Sequence, residues 1–166
     1  MTRIQHPFDP LYDDTSRILI LGSFPSVKSR EQQFFYGHPQ NRFWKVISSI
    51  FSEEVPTTIP EKKHLILSHG LALWDSISSC EITGSSDASI RNAKANDISL
   101  ILRNCPIEKI ICNGKKSYEL YQRYIEKETG KSAICLPSTS PANAAWSLDK
   151  LIDAWSVIIL QTQEES

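Results

Sequence analysis

The chain has 166 residues, an apolar fraction of 40% and a formal net charge of −1, enough to bury one core without disulfides or metals as staples. No apolar run approaches the length that spans a bilayer, and the near-neutral charge excludes the uniformly basic surface of many nucleic-acid binders. Cys80, Cys105, Cys112 and Cys135 form no C-x-x-C pair, which argues against a zinc ribbon or a disulfide framework and for reduced, cytoplasmic thiols. Met1 to Pro7 lack the apolar core of a signal peptide.

In chain order, residues 1–16 read as an irregular arm, with Pro7, Pro10 and the turn chemistry of Asp13-Asp14-Thr15-Ser16. Ile18-Leu19-Ile20-Leu21 is short, apolar throughout and partly β-branched, which predicts a strand buried on both faces of a parallel sheet. The pattern breaks at Gly22-Ser23-Phe24-Pro25-Ser26, where glycine permits close backbone approach and proline stiffens the turn. An aromatic cluster (Phe34, Phe35, Tyr36) follows, then His38-Pro39-Gln40-Asn41 and Arg42-Phe43-Trp44. The spacing of Phe43, Trp44, Val46, Ile47, Ile50 and Phe51 predicts a helix over 41–51.

A proline-bounded loop spans Val55 to Pro60, and a second helix runs from Glu61 to about Ser68, stopped by His69-Gly70. Leu71-Ala72-Leu73-Trp74-Asp75 predicts a second strand ending in a carboxylate, and Thr83-Gly84-Ser85-Ser86-Asp87 a polar loop. Asn96-Asp97 is expected to cap a helix through Leu102. A third strand, Ile107 to Cys112, closes on Asn113-Gly114, and Lys115 to Lys127 predicts a helix. A fourth strand, Ala133 to Leu136, is broken by Pro137-Ser138-Thr139-Ser140-Pro141. Ser147 to Leu160 predicts the closing helix, and 161–166 a tail.

Strands alternating with helices predict right-handed crossovers, hence one α/β domain over 1–166: a three-layer sandwich around a central four-stranded parallel sheet. In such sheets ligands bind outside the carboxyl ends of the strands. Those ends carry Gly22-Ser23, Asp75, Asn113-Gly114 and Pro137-Ser138, so one cleft is expected across the sheet top. The first loop sends rings, an imidazole, an amide and a guanidinium there, which suits a base with a π-face better than a sugar or a phosphate alone. The residues by themselves stop at an α/β ligand-binding or catalytic domain. A flavodoxin-like binder fits too, although G-x-G-x-x-G and a P-loop lysine are absent. The acids concentrate at the ends (Asp9, Asp13, Asp14, Glu164, Glu165), while segment 17–45 holds Arg17, Lys28, Arg30, Arg42 and Lys45 against Glu31 alone, a local positive potential sufficient for phosphate contacts.

Gly22-Ser23-Phe24-Pro25-Ser26 and His38-Pro39-Gln40-Asn41-Arg42-Phe43-Trp44 resemble, in order and separation, the G-x-N-P-G and H-P-x-N-R-F-W motifs of the uracil-DNA glycosylase superfamily. The resemblance covers roughly Arg17 to Leu160 and is strongest to the hypoxanthine-DNA glycosylase branch. Branches that carry an iron–sulfur cluster need clustered cysteines, which this chain lacks. The asparagine that positions water in the mismatch-specific enzymes falls on Phe24. The hypoxanthine branch also lacks it, and a later asparagine, Asn41 here, is implicated instead.

The resemblance implies a monofunctional, monomeric glycosylase without metal or other cofactor. Its partner would be double-stranded DNA containing a deaminated base, most readily hypoxanthine, with uracil as the alternative. A nucleic-acid-binding relative that has lost the chemistry is the other alternative. Asn41 is the expected catalytic residue, holding the attacking water through its amide oxygen. The base-binding set is the backbone around Ser23, Phe24, Tyr36 as the stacking ring, His38 and Asp75. Asp75 either accepts the N1–H of hypoxanthine or is an exposed strand-end acid. His38 either contacts base or phosphate or orients Asn41. The DNA-binding set is Arg42 (phosphate or helix end), Lys115 at a phosphate-holding helix start, and Ser138, Thr139, Ser140, Pro141 and Asn143. These last form either a wedge in the minor groove or simply a good turn. Phe34, Phe35, Phe43 and Trp44 are read as packing.

Overall fold

The computed structural model describes residues 2–6, 8–82 and 89–158. Within them lie seven strands: β1 (Thr2–Gln5), β2 (Ile18–Gly22), β3 (Leu71–Asp75), β4 (Ile77–Ile82), β5 (Arg91–Ala95), β6 (Lys109–Asn113) and β7 (Ile134–Leu136). The four expected strands form the central parallel sheet in the order β3-β2-β6-β7. Every residue of β2 and β3 is buried, which only a sheet covered by helices on both faces allows. The three-layer α/β sandwich expected from the alternation of elements is therefore the fold.

The covering helices follow from their apolar stripes. In α2 (Phe43–Ile50), Phe43, Trp44, Val46, Ile47 and Ile50 are all buried. It packs on α7 (Leu148–Trp155), whose Trp155 meets the Phe43 ring edge-on at 6.2 Å and donates Nε1–H to Pro137 O at 2.9 Å. A capping box starts α3 (Ile59–Ser68): Thr58 Oγ1 accepts from Glu61 N–H, while the Glu61 carboxylate accepts from Thr58 N–H. In the crossover from β6 to β7 lies α5 (Lys115–Tyr124), tied to the sheet by Ser117 Oγ donating to Leu21 O at 2.7 Å. The free edge of β3 is closed by Leu11, which exchanges two backbone hydrogen bonds with Leu73.

The structure departs from the sequence reading in four places. Residues 2–5 are not irregular: β1 pairs antiparallel with β4, and β4 with β5, as a second sheet. None of the three strands has a clean period-2 pattern, and Arg91-Asn92-Ala93-Lys94-Ala95 is mostly exposed, so pairing rather than propensity makes it a strand. The turn after β2 contains a short helix, α1 (Val27–Gln32), whose N-cap Ser26 accepts from Ser29 N–H. Asn96 does not cap the helix that follows, α4 (Ile98–Asn104), and Asp97 at its N-cap makes no side-chain cap bond. Asn96 instead donates Nδ2–H to Asp75 O and Ile77 O, at 2.8 and 3.1 Å, fixing the corner where β3 leaves the parallel sheet. The helix expected to reach Lys127 divides at the buried Ile125 into α5 and α6 (Glu126–Thr129). The polar loop 83–87, the last two residues of the predicted closing helix and the tail lie outside the described residues. Among the described residues no helix is long and apolar enough to cross a membrane.

Cys80, Cys105 and Cys112 are buried and Cys135, on β7, is exposed. Burial pushes the Cys112 thiol up to about 12, so it stays protonated and unreactive across the working pH range. Titration of the native protein with a thiol reagent at mildly alkaline pH should show one reacting group, removed by Cys135→Ser, with the others appearing on denaturation. A native-state reaction that survives Cys135→Ser would contradict this packing.

Candidate active site

The four strand ends converge on a cleft of about 260 Å³, near the lower end of small-molecule sites. Its floor is the β2–β3 pair Gly22 and Asp75. A Cβ on Gly22 would lie 2.3 Å from Asp75 Oδ1, so only glycine lets the carboxylate fold over the strand end. Asp75 is 4% exposed. Its Oδ2 lies 2.8 Å from Nε2 of His6, just beyond β1, so the acid is neither a surface residue nor alone.

A second polar group sits across the cleft. Asn41 Oδ1 accepts from Phe43 N–H at 2.9 Å, which starts α2, and from Thr139 Oγ1–H at 2.8 Å. Thr139 is fully buried. Asn113, at the end of β6, donates Nδ2–H to Thr139 Oγ1 and accepts Thr139 N–H on Oδ1, both at 3.0 Å. Because a backbone N–H can only donate, Asn41 has its oxygen on this chain and its NH2 on the other side. Both acceptor sites of that oxygen are filled. The amide oxygen expected to hold water thus already accepts two hydrogen bonds within the protein, and the NH2 is the part of Asn41 left without a hydrogen bond to this chain of residues.

Around these groups the first loop supplies rings. Tyr36 holds a left-handed backbone (φ 52°) and stacks on Phe43 at 4.0 Å, so one of its faces is already covered. Phe24 packs with Ile77, Cys80, Ile82, Ile90 and Leu120 and presents part of its ring to the cleft. Ser23 is buried, and its carbonyl accepts from Ile77 N–H. His38 Nδ1 accepts from Gln40 N–H at 3.1 Å, which leaves the ring proton on Nε2. His38 is tied to Asn41 through the backbone, its carbonyl accepting from Asn41 N–H at 3.0 Å, while Phe43 and Thr139 hold the Asn41 side chain.

The loop after β7 is held from below by Arg42. Its guanidinium donates to the carbonyls of Thr139, Ser140, Asn143 and Trp146. The Arg42 backbone N–H also donates to Thr139 O at 3.0 Å. Arg42, expected at a phosphate or a helix end, stands at the N-cap of α2 and acts as a clamp on the loop: four of its five guanidinium N–H groups are engaged inside the protein. The Asn143 amide likewise turns inward, to Ser138 O.

Comparison with known proteins agrees with this geometry. The sequence profile of the Uracil DNA glycosylase superfamily matches residues 10–158. The chain belongs to that superfamily. A protein of Methanosarcina acetivorans named Hypoxanthine DNA glycosylase is 34% identical over 89% of this chain and 93% of its own length. A protein of the same name from Methanosarcina barkeri is 31% identical over 82% and 86%. The solution NMR structure of a candidate uracil DNA glycosylase from Methanosarcina acetivorans superposes with a TM-score of 0.82. It shares 28% identity and covers 98% of this chain and 99% of that one.

On this superfamily scaffold the cleft brings together Ser23, Phe24, Tyr36, His38, Asn41, Asp75, Ser138, Thr139, Ser140 and Pro141. Lys115 and Asn143 lie instead along an adjoining groove with Gly114, Lys116 and Trp146. Asn113 lines both; the sequence places it at the sheet top as the end of the third strand but assigns it neither to the base-binding nor to the DNA-binding set. The rule that flagged Asp75, a polar residue at a strand's carboxyl end, also applies to it. His6 carried no signal, because its partner is 69 residues away.

The Arg42 clamp makes a measurable claim. Arg42→Ala leaves four carbonyls without their shared donor and should destabilise the fold by roughly 1–3 kcal/mol in urea unfolding. Amide hydrogen exchange should rise across residues 138–146 and not in β2. Unchanged exchange in that loop would show that the clamp does not hold it.

Proposed function

We propose that this superfamily member is a monofunctional DNA glycosylase that hydrolyses the N-glycosidic bond of deoxyinosine in double-stranded DNA, releasing hypoxanthine. The observation that carries this reading is the pairing, in one cleft, of an acceptor on Asp75 with the donor NH2 of Asn41. A lactam edge, with its ring N–H beside a carbonyl, is the complement of such a pair. Hypoxanthine offers that edge at N1–H and O6, and the two Methanosarcina proteins named for it supply the purine preference.

The chemistry follows from these groups. Flipping the nucleotide out of the duplex costs a few kcal/mol, least where the pair is already mismatched. Tyr36 and Phe24 then provide apolar surface for the extruded base. As the bond from C1′ to N9 lengthens, the sugar acquires oxocarbenium character and the bonding electrons move onto the base. Asn41 Nδ2–H and the backbone N–H groups at the end of β2 meet that charge, as donors fixed in place by the fold. Water adds to C1′ and its proton passes to solvent, while the departing base is protonated in turn. The start of α5, with Gly114, Lys115 and Lys116 along the adjoining groove, suits a flanking phosphate. The loop 137–146 borders both cleft and groove and suits the minor-groove side of a bent duplex.

Single-turnover cleavage of duplexes containing one deoxyinosine, one deoxyuridine or neither, followed by alkali, tests this. Hypoxanthine release is expected. Asn41→Ala should slow it by about 10²–10³-fold, the scale of losing an oxyanion-type donor, and Thr139→Val, which frees the Asn41 amide to turn, by less. Release from uridine alone would favour the second reading, a uracil enzyme, which the resemblance to the NMR structure supports. No release from either duplex would leave a binding relative.

A further inference from the structure

The side chains of His6 and Asp75 are 4% and 6% exposed, and the proposed chemistry uses Asp75 without assigning any part to its buried partner. The histidine is carried to the cleft by the second sheet: β1 lies on β4, and His6 N–H donates to Ser78 O at 2.6 Å. Rings of Phe8, Phe24 and Phe35 surround the imidazole at centroid distances of 4.5, 6.0 and 6.4 Å. Both imidazole nitrogens are engaged: Nδ1 is 2.8 Å from Phe8 O and Nε2 is 2.8 Å from Asp75 Oδ2.

Nδ1 faces two groups of Phe8, the carbonyl at 2.8 Å and the backbone N–H at 3.5 Å; the carbonyl contact is much the shorter, and because Phe8 O can only accept, Nδ1 carries a proton. The contact between Nε2 and Oδ2 then holds one proton, whichever atom it sits on. If it is on Nε2, Asp75 is a carboxylate and Oδ1 accepts. If it is on Oδ2, it is directed at Nε2, and Oδ1 is the carbonyl oxygen of the acid and again accepts. In both cases Oδ1, the oxygen that lies over Gly22 at the cleft floor, is barred from donating.

We propose that His6 is a positioning residue that fixes the hydrogen-bond polarity of Asp75, so that the cleft takes bases with a ring N–H and refuses those with a bare ring nitrogen. The inference rests on the deoxyinosine reading and deepens it. Hypoxanthine differs from adenine, its undamaged parent, by exchanging a bare N1 and an amino group for N1–H and a carbonyl. An acceptor held at that position meets a donor in the first and a lone pair in the second. A buried polar site that leaves a group unpaired rejects the wrong ligand strongly. Without His6, Oδ2 loses its partner and the carboxyl is free to rotate, so no acceptor is held at that position and the distinction between damaged and normal purine fades.

The test compares single-turnover release from deoxyinosine and from a mispaired deoxyadenosine by wild type, His6→Ala and His6→Gln. Folded fraction is checked by thermal unfolding. His6→Ala should lower the inosine-to-adenosine rate ratio by roughly tenfold or more. His6→Gln, whose side-chain NH2 can still donate to Oδ2, should restore most of it. A general loss of rate with the ratio preserved would show that His6 only supports the fold, and would overturn the inference. A wild-type protein that releases no hypoxanthine would overturn the deoxyinosine reading itself, a result distinguishable because it precedes any comparison of variants.

Discussion

The register of β2 between two parallel partners is the constraint on which the rest of the molecule depends. Ile18, Leu19, Ile20 and Leu21 are aligned with Leu71 to Trp74 on one side and with Lys109 to Cys112 on the other. All four are buried. A slip of one residue would turn every side chain to the opposite face, and in a strand packed on both faces it would also misplace the strand ends. With the register as it is, Gly22 lies opposite Asp75, and Asn113 emerges beside them. The apolar core, without any chemistry of its own, thus sets where the polar groups stand.

Those polar groups are then locked by hydrogen bonds around the buried side chains of Thr139 and Asp75. Asn113, Thr139 and Asn41 form one chain, and His6 and Asp75 another. Buried networks of this kind are costly when incomplete and specifying when complete. Each fixes an orientation that an isolated side chain would not keep: the Asn41 amide with its oxygen inward, the Asp75 carboxyl with one oxygen committed to His6. Arg42 does the same for the loop after β7, its planar fork gathering four of the loop's carbonyls where regular structure is absent.

The second sheet gains its meaning from this arrangement. β4 follows β3 after the single residue Ser76, and Asn96 ties the corner from the far side. β1 pairs along β4 and ends next to His6. What looks from the sequence like an arm before the domain is the element that delivers a buried imidazole to the back of the cleft.

The sequence by itself determined the elements whose cause is local. The apolar run 18–21, the helical spacing of Phe43 to Phe51, the Thr58–Glu61 cap and the strand-end positions of Gly22, Asp75 and Asn113 are legible because periodicity and turn chemistry act over a few residues. The paired motifs around Gly22 and His38 were equally legible, and they led to the right superfamily. Only the tertiary structure decided what each polar side chain is for. Arg42 turned inward because a loop nearly a hundred residues later offers it carbonyls, the Asn41 oxygen was taken by Thr139 at a separation of 98 residues, and His6 met Asp75 at a separation of 69. A side-chain hydrogen bond depends on which backbone the fold brings within 3 Å, and nothing in the neighbouring residues records that distance.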